Sequence, residues 1–513
     1  MDPHPKKPEA PSASAPIPSA PPLESLLAQR RETLKRLREN GVEPYPHHFE
    51  RTHTLVQLLK EFSGPLPEHG TEQTIRTAGR LMTQRDMGKS CFAHIADGPE
   101  RLQIYVKKDA VGEAAYKIFQ KDTDIGDFLG VEGPMFRTKT GELTVRVMAF
   151  VLLAKSLRPL PEKFHGLKDV EIRYREREMD LVSNPDIHKL FVKRSQLLRS
   201  IRQTLDHQGF LEVETPLLQA QAGGAAARPF QTFHNTLQMP LFMRIALELH
   251  LKRLLVGGID RVFEMGRVFR NEGVDTMHNP EFTLLEAYQA YADYNDMMSL
   301  TEKIIQEASL ALNGTDQVAL HDKPLSLKPP FARVTLTELF EKYAGVDVIK
   351  AWKEGHLLKT ASDLGVDADP KTHEHKVFDR IFDLKVQPHL WQPTFVLDYP
   401  VEISPLAKKH RNQPGLVERF ELFIAHGEVA NAYSELNDPV DQRERMERQA
   451  ALKKKGDEEA EVVDEAFLTA LEHGMPPAGG LGIGIDRLAM LLLGQTSIRE
   501  VILFPLLRPE QGQ

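Results

Sequence analysis

The sequence predicts an α+β protein: a small N-terminal β-barrel followed by a large domain of mixed strands and helices. Three observations lead there. Short β-rich runs crowd the stretch from about residue 73 to 153, strands and helices mix from about residue 186 to the C-terminus, and 513 residues exceed what one hydrophobic core supports. Hydrophobic residues make up 41% of the chain and charged residues 27%, the composition of a globular protein. No apolar run approaches the roughly 20 residues of a membrane-spanning helix, so no membrane partner is expected. The single cysteine, Cys91, excludes an internal disulfide and fits a reducing, cytoplasmic setting. A formal charge of −8 excludes a basic coat but leaves room for a local basic patch.

The elements follow in order. Residues 1–22 are rich in Pro, Ala and Ser and predict a disordered tail; it lacks arginine and carries Asp2 and Glu9, unlike an organellar transit peptide. Leu26, Leu27, Leu34 and Leu37 form the apolar stripe of a helix over about 23–40, within a helical extension expected over 23–65. Its other face carries Arg30, Arg31, Lys35, Arg36 and Arg38, either a solvated face or a contact to an RNA backbone. Strands are expected over 75–82, 90–95, 102–106, 128–135 and 143–153, with a helix over 111–120. Five strands with a helix between the third and fourth is the order of an OB-fold barrel, here assigned 66–155. A linker is expected over 156–185, with Arg158-Pro159-Leu160-Pro161 as a connector, and the large domain over 186–513.

Two stretches of the large domain carry chemistry. Period-two alternation over 261–272 puts Glu264, Val268, Arg270 and Glu272 on one strand face, and the strand after Asn279-Pro280 puts Phe282, Leu284, Glu286 and Tyr288 on another. A hairpin of the two presents an arginine, an aromatic ring, a carboxylate and a phenol to one cleft. Arginine pairs bidentately with phosphate oxygens and an aromatic face stacks on a base, so the set suits a nucleotide. Alone, it also fits a half-buried hairpin whose charges pair with one another. Further on, a glycine-rich strand over 479–484 allows close approach of other backbone, and Asp486 is expected to cap a following helix with Arg487 at its mouth.

Together with Gly209-Phe210-Leu211-Glu212-Val213-Glu214-Thr215-Pro216, these stretches resemble, in order and spacing, the three signature motifs of class II aminoacyl-tRNA synthetases. The segments at 87–89, 137–143, 158–167, 223–230 and 434–439 are similar to the lysyl members, and the resemblance covers nearly all of the chain after about Leu23. It implies an OB-fold anticodon-binding domain followed by a catalytic domain built on an antiparallel sheet flanked by helices. It implies a homodimer that joins lysine to tRNA(Lys) through lysyl-adenylate, with ATP as co-substrate and Mg²⁺ as cofactor.

Carried over residue by residue, Arg270 would contact the α-phosphate and the lysine carboxylate, and Glu272 would join it at ATP. His278 and Arg487 would hold the far end of the triphosphate, and Phe282 would stack on adenine. Glu421 and Glu428, flanking a turn expected at His426-Gly427, would hold Mg²⁺, which prefers hard oxygen ligands. Glu286 and Glu435 would grip the ε-ammonium with Tyr288, while Asn431 and Tyr433, sharing strand parity with Glu435, would line the same pocket. Glu248 and the backbone of Gly224 would take the α-amino group. In aspartyl relatives an arginine stands where Glu435 stands, so the reversed charge selects lysine. In the barrel, Phe92 would stack on an anticodon base and Gln103 and Glu142 would bond base edges; by itself Phe92 reads as ordinary barrel core.

Two positions depart from the lysyl pattern: Leu247, where proline is usual, and Glu178, where tyrosine is common. A paralogue that lysylates a translation factor resembles only the catalytic domain, so the expected barrel argues against that rival. A non-catalytic RNA-binding derivative predicts loss of Arg270, Arg487 or the metal glutamates, and all four are present.

Overall fold

A computed structural model describes residues 22–161, 167, 169–320, 322–369, 372–455, 460 and 462–509. The tail expected over 1–22 falls, apart from Pro22, outside them, as do residues 162–166 of the expected linker. The described chain separates into two compact units, 1–188 and 189–513.

The first unit opens with helix α1 (Leu23–Glu39) and a second helix, α2 (Leu55–Glu61), which carries a capping box between Thr54 and Gln57. The basic face of α1 corrects part of its RNA-contact reading. Arg30 is buried and donates to the carbonyls of Ser156, Ile125 and Arg158 at 3.0–3.1 Å, while Arg36 bonds Asp122. Arg31, Lys35 and Arg38 remain exposed.

Next come β1 (Thr74–Asp86), β2 (Ser90–Asp97) and β3 (Glu100–Lys107). The helical stretch is broken at Gly112, with φ of 86°, into α3 (Lys108–Val111) and α4 (Glu113–Lys121). The strand β4 (Phe128–Arg137) then pairs with β1 and so helps close the barrel. The single strand expected over 143–153 is in fact two, β5 (Leu143–Val147) and β6 (Ala149–Ala154). The break follows from pairing: β5 runs parallel to β3 while also pairing residues 135–137 of β4, and β6 continues on residues 128–132 of β4. Closure in the order β1-β2-β3-β5-β4-β1 makes a five-stranded barrel filled by Ile75, Leu81, Ile95, Ile104, Leu129 and Val145. Two short helices, α5 (Val170–Arg175) and α6 (Arg177–Ser183), occupy the stretch read as linker.

The second unit is organised around one eight-stranded sheet. Helix α7 (Pro185–His207) leads through Gly209, in the left-handed region at φ 77°, into β7 (Leu211–Glu212). A small three-stranded sheet, β8 (Leu218–Gln219), β9 (Gln231–His234) and β10 (Met239–Met243), precedes helix α8 (Glu248–Val256). Strands β11 (Arg261–Phe269) and β12 (Glu281–Ala290) form the long hairpin read from the sequence. Helix α9 (Tyr294–Asn313) and the hairpin β13 (Gln317–Leu320) and β14 (Lys323–Ser326) come next, then β15 (Ala332–Thr335). Four helices follow: α10 (Leu336–Ala344), α11 (Val348–Lys353), α12 (Leu357–Asp363) and α13 (Glu374–Lys385). The chain returns to the sheet as β16 (Thr394–Pro400), β17 (Leu416–Ile424) and β18 (Gly427–Ser434). Helices α14 (Pro439–Lys454) and α15 (Glu465–Glu472) lead to β19 (Ala478–Gly484), then α16 (Ile485–Leu493) and α17 (Ile498–Val501).

The sheet order is β15-β16-β17-β18-β19-β12-β11-β7, antiparallel except for the outermost pair at each edge. One face packs on α7, α9 and α16, with Leu197, Ile201, Met297, Ile304, Leu488 and Leu492 against Leu285, Ala432 and Ile483. With that face closed by helices, polar side chains of the inner strands are displayed on the opposite one. That opposite face floors the cavity described next. Among the described residues, no helix is long and apolar enough to cross a membrane.

Candidate functional site

The face of β11, β12, β18 and β19 turned away from α9 and α16 borders a cavity of about 1070 Å³. In β11–β12 the cross-strand pairs Glu264–Glu286, Gly266–Leu284 and Val268–Phe282 set the register that brings Arg270, Phe282, Leu284, Glu286 and Tyr288 to this one cavity. Glu264 is held elsewhere: its carboxylate accepts from the buried Arg244 at 2.5 Å and from Thr215. Arg270 lies with its guanidinium 5.2 Å from the centre of the Phe282 ring. Burial lowers its pKa, against the opposing pull of Glu272, Glu428 and Glu286.

The loop between these strands is shaped by Asp275, which accepts from the backbone N–H groups of Met277 and His278 at 2.7 Å. His278 places Nδ1 2.9 Å from Asp275 Oδ2 and Nε2 3.1 Å from Nη2 of Arg487. An arginine only donates, so Nε2 accepts and Nδ1 carries the proton toward Asp275. Arg487 also donates through Nη1 to the backbone and the carboxylate of Glu428, both at 3.0 Å. Asp486 is not the cap expected of it. It sits inside the first turn of α16, where Oδ1 accepts from Arg194 at 2.5 Å and Oδ2 from the backbone of Thr283 at 2.7 Å, tying α16 to β12.

At the other end the cavity is acidic. Glu286 accepts from Tyr288 Oη at 2.9 Å and from the backbone N–H of Leu247 at 3.0 Å. The second bond satisfies one of the orphan donors at the N-terminus of α8, which has no side-chain cap of its own. Burial, with Glu248 adding, pushes the Glu286 carboxyl up to about 7. Glu248, the first residue of α8, accepts from Tyr433 Oη and from Lys252, each at 2.5 Å. Lys252 also contacts Glu435. Strand β19 makes the room: a Cβ at Gly480 would strike Glu435 Oε1 and the Tyr288 ring. The glycine-rich strand thus admits side chains at Gly480 and, as expected, other backbone at Gly479, where a Cβ would meet the carbonyl oxygen of Asp293 at 2.9 Å. Gly224, at φ 86°, lies against Ala246 and Glu248 on the same wall.

Glu421 and Glu428 come from the β17–β18 hairpin. Its turn is centred on Ala425 and His426, with φ of 51° and 68°, one residue earlier than expected, and Ile424 pairs with Gly427. The ladder then slips: Phe423 pairs with Glu428 but Leu422 with Ala430, leaving Val429 as a bulge. Strict alternation would put Glu428 and Asn431 on opposite faces. The bulge puts Glu428, Asn431, Tyr433 and Glu435 on one cavity wall.

Glu421 accepts from Arg419 at 2.6 Å and Tyr399 Oη at 3.0 Å, and Arg419 also donates to Asn431 Oδ1 at 3.1 Å. Burial pushes Glu421 up to about 7; Arg419 opposes it and Glu428 adds to it. The two glutamates are hard oxygen donors close enough for Glu428 to act on Glu421, and they would suit Mg²⁺. Among the described residues no three His, Cys, Asp or Glu side chains form a closed metal cage.

In the first unit Phe92 stands on the outward face of β2, between buried Cys91 and Ala93, so it is not barrel core. Its ring lies 4.6 Å from that of Tyr105, which is 6.1 Å from Phe136, and Arg146 covers Phe136 at 4.9 Å. Gln103 donates to Glu142 at 2.7 Å, and Glu142 also contacts His94 Nε2 at 2.8 Å. These edge-bonding candidates already bond one another. Sequence reasoning missed Tyr105, Phe136, Arg146 and His94. It also missed Lys252, Arg419 and Tyr399. Alternation in β2 and β3 could have found the aromatic pair; nothing local marks Lys252.

Comparison with known proteins gives the family of both units. The family profile described as tRNA synthetases class II (D, K and N) matches residues 169–508, and that of an OB-fold nucleic acid binding domain matches residues 75–153. The chain is 52% identical over 487 residues to the lysine–tRNA ligase of Carboxydothermus hydrogenoformans, covering 95% of this chain and 99% of that one. It is 52% identical over 486 residues to that of Moorella thermoacetica, covering 95% and 98%. With that of Nostoc sp. it shares 50% identity over 499 residues, covering 95% and 88%.

Proposed function

The chain belongs to the class II tRNA synthetases and is a lysine–tRNA ligase that uses ATP, and from that premise we propose how its residues divide the work. Arg270 pairs with the α-phosphate of ATP and the carboxylate of lysine, drawing together the two groups that react. Phe282 stacks on adenine beneath that guanidinium, Glu272 completes the ATP contacts, and His278 with Arg487 holds the far phosphates. Glu286, Glu435 and Tyr288 hold the ε-ammonium, Asn431 and Tyr433 line its channel, and Glu248 with the Gly224 backbone holds the α-ammonium. Lysine's carboxylate then attacks the α-phosphorus to give lysyl-adenylate and pyrophosphate, and the tRNA 3′-hydroxyl takes the lysyl group. The protein supplies position and charge, with no protein nucleophile.

Glu421 and Glu428 are the residues to hold Mg²⁺, which when bound neutralises phosphate charge. In the barrel, which we assign to residues 66–155, Phe92 is the stacking platform for an anticodon base of tRNA(Lys), with Gln103 and Glu142 at base edges. Exposed Leu211, Leu217, Leu218, Phe233 and Leu237, clustered in sequence around the first motif, support a homodimer, to be tested by light scattering. The cytoplasm, where ATP and tRNA meet, is the location we assign; cell fractionation tests it.

One observation carries the substrate reading: buried Glu286 and Glu435 border the same cavity as the Arg270–Phe282 pair. Two desolvated carboxylates reject a neutral or acidic side chain by several kcal/mol, on the order of a thousandfold. Pyrophosphate exchange with each amino acid is the test. Exchange with lysine far above the rest is expected, and equal exchange with a neutral amino acid of similar length sinks the assignment of these two acids.

A further inference from the structure

One buried cation beside the amino-acid end has no part in the roles above. Lys252 lies one helical turn after Glu248 on α8, and its side chain is fully enclosed. Its Nζ is 2.5 Å from Glu248 Oε1, touches Glu435 Oε2, and sits 5.4 Å from the centre of the Tyr433 ring. Burial alone draws a lysine toward its neutral form, and here Glu248 and Glu435 more than offset it, lifting the pKa to about 12. The pocket that takes an ammonium therefore already contains one.

We infer that Lys252 is a positioning and specificity residue, bridging the acceptor of the α-ammonium to an acceptor of the ε-ammonium and setting the charge of the pocket. The inference rests on the proposed roles of Glu248, Glu286 and Glu435. With all three ionised, Lys252 cancels one of them and leaves two negative charges for the two ammonium groups of the substrate. Arg270 answers the substrate carboxylate, so the loaded pocket is neutral. Without Lys252 it holds one negative charge too many, in a place where burial already drives Glu435 toward its protonated form and Glu248 and Glu286 add to the push. The ionisable groups that meet Lys252 are Glu248 on its own helix and Tyr433 and Glu435 at the end of β18, while Glu286 and Tyr288 of β12 act on those two acids. Removing the ammonium leaves one of the carboxylates protonated, and a protonated acid is a poor partner for the substrate.

The second consequence is geometric. A single side chain ties the start of α8 to the end of β18, so the two acceptors keep a fixed spacing before lysine arrives. That spacing is a ruler for the distance between the two amino groups of the substrate. It bears on ornithine, which keeps both charges and loses only reach.

The test compares Lys252→Met and Lys252→Arg by pyrophosphate exchange, reading the KM of lysine and of ATP across a range of pH. In Lys252→Met the lysine KM rises at least about tenfold at neutral pH, the ATP KM stays within about twofold, and the pH at which the lysine KM levels off moves up by about one unit. In Lys252→Arg, which keeps the charge, that pH stays in place. An unchanged lysine KM in Lys252→Met overturns the inference. So does a raised KM with an unmoved pH profile, which would mark the side chain as packing alone. If Lys252→Met is not recovered folded, Lys252→Gln, which keeps a donor and loses the charge, answers the same question. Glu435→Gln measured alongside separates the layers. If it leaves the lysine KM unchanged, the pocket reading fails; if it raises that KM while the Lys252 variants match the parent, only the present inference fails.

Discussion

The two ends of the cavity are both built on glutamates, and they treat them in opposite ways. Where lysine is proposed to sit, Glu248, Glu286 and Glu435 outnumber the one enclosed cation, Lys252. Where the phosphates are proposed to sit, Glu421 is held by Arg419 and Tyr399, and Glu428 by Arg487. The first end is short of positive charge and waits for a cation. The second has its acids pinned by arginines, beside Arg270 and His278. The same residue type serves two purposes, and the local ratio of acids to cations decides which.

That contrast can be broken by measurement. Arg270→Ala has the largest expected effect: loss of a charge-stabilising donor lowers kcat for pyrophosphate exchange by roughly 10²–10³-fold. A change confined to the ATP KM would remove the residue from the reacting centre. Glu435→Gln comes next, with the lysine KM up roughly 10²-fold and the ATP KM nearly unmoved, as expected when a buried cation loses its acid partner. Equal changes in both constants would dissolve the distinction between the ends. Glu421→Gln is expected to raise the magnesium concentration for half-maximal rate about tenfold while sparing the lysine KM. A metal titration checks it.

The pH dependence sharpens the same contrast. Glu286 holds its proton up to about 7, so below that pH the lysine KM rises about tenfold per unit while the ATP KM follows no such trend. For the ligand-free protein the sign is that of a raised carboxyl. The stabilising proton is fully present below the ordinary 4.5 and lost as pH climbs through about 7, so thermal stability without lysine declines over that window. A flat stability profile between those values would contradict the burial of an ionisable Glu286. The smallest effect belongs to Leu247→Pro. Proline has no N–H to give Glu286, so the pH midpoint of the lysine KM should move up by a fraction of a unit and the KM itself by about threefold at neutral pH.

Much of this was legible in the sequence. Alternation alone placed Arg270, Phe282, Glu286 and Tyr288 on one wall, because a regular hairpin has no freedom to do otherwise. The barrel was legible for the same reason, except where one expected strand follows two partners and divides at Met148. What escaped was non-local. Lys252 looks like any basic residue on a surface helix until β18 brings Glu435 to it. Asp486 sits where a cap belongs, yet its partners, Arg194 and Thr283, lie some 290 and 200 residues away in the chain. Phe92 could be told from core only by counting from its buried neighbours, Cys91 and Ala93.

The extra residue at Val429 has a consequence for how such a chain can change. Residues before it on the strand serve one chemical task and residues after it another, and the irregularity separates them like a phase boundary in a wave. A lost or gained residue there would turn Asn431 and Tyr433 toward the helical core and bring Ala432 toward the cavity, erasing one task while leaving the other intact. Point changes can drift on either side independently; a change of length at this place cannot be neutral.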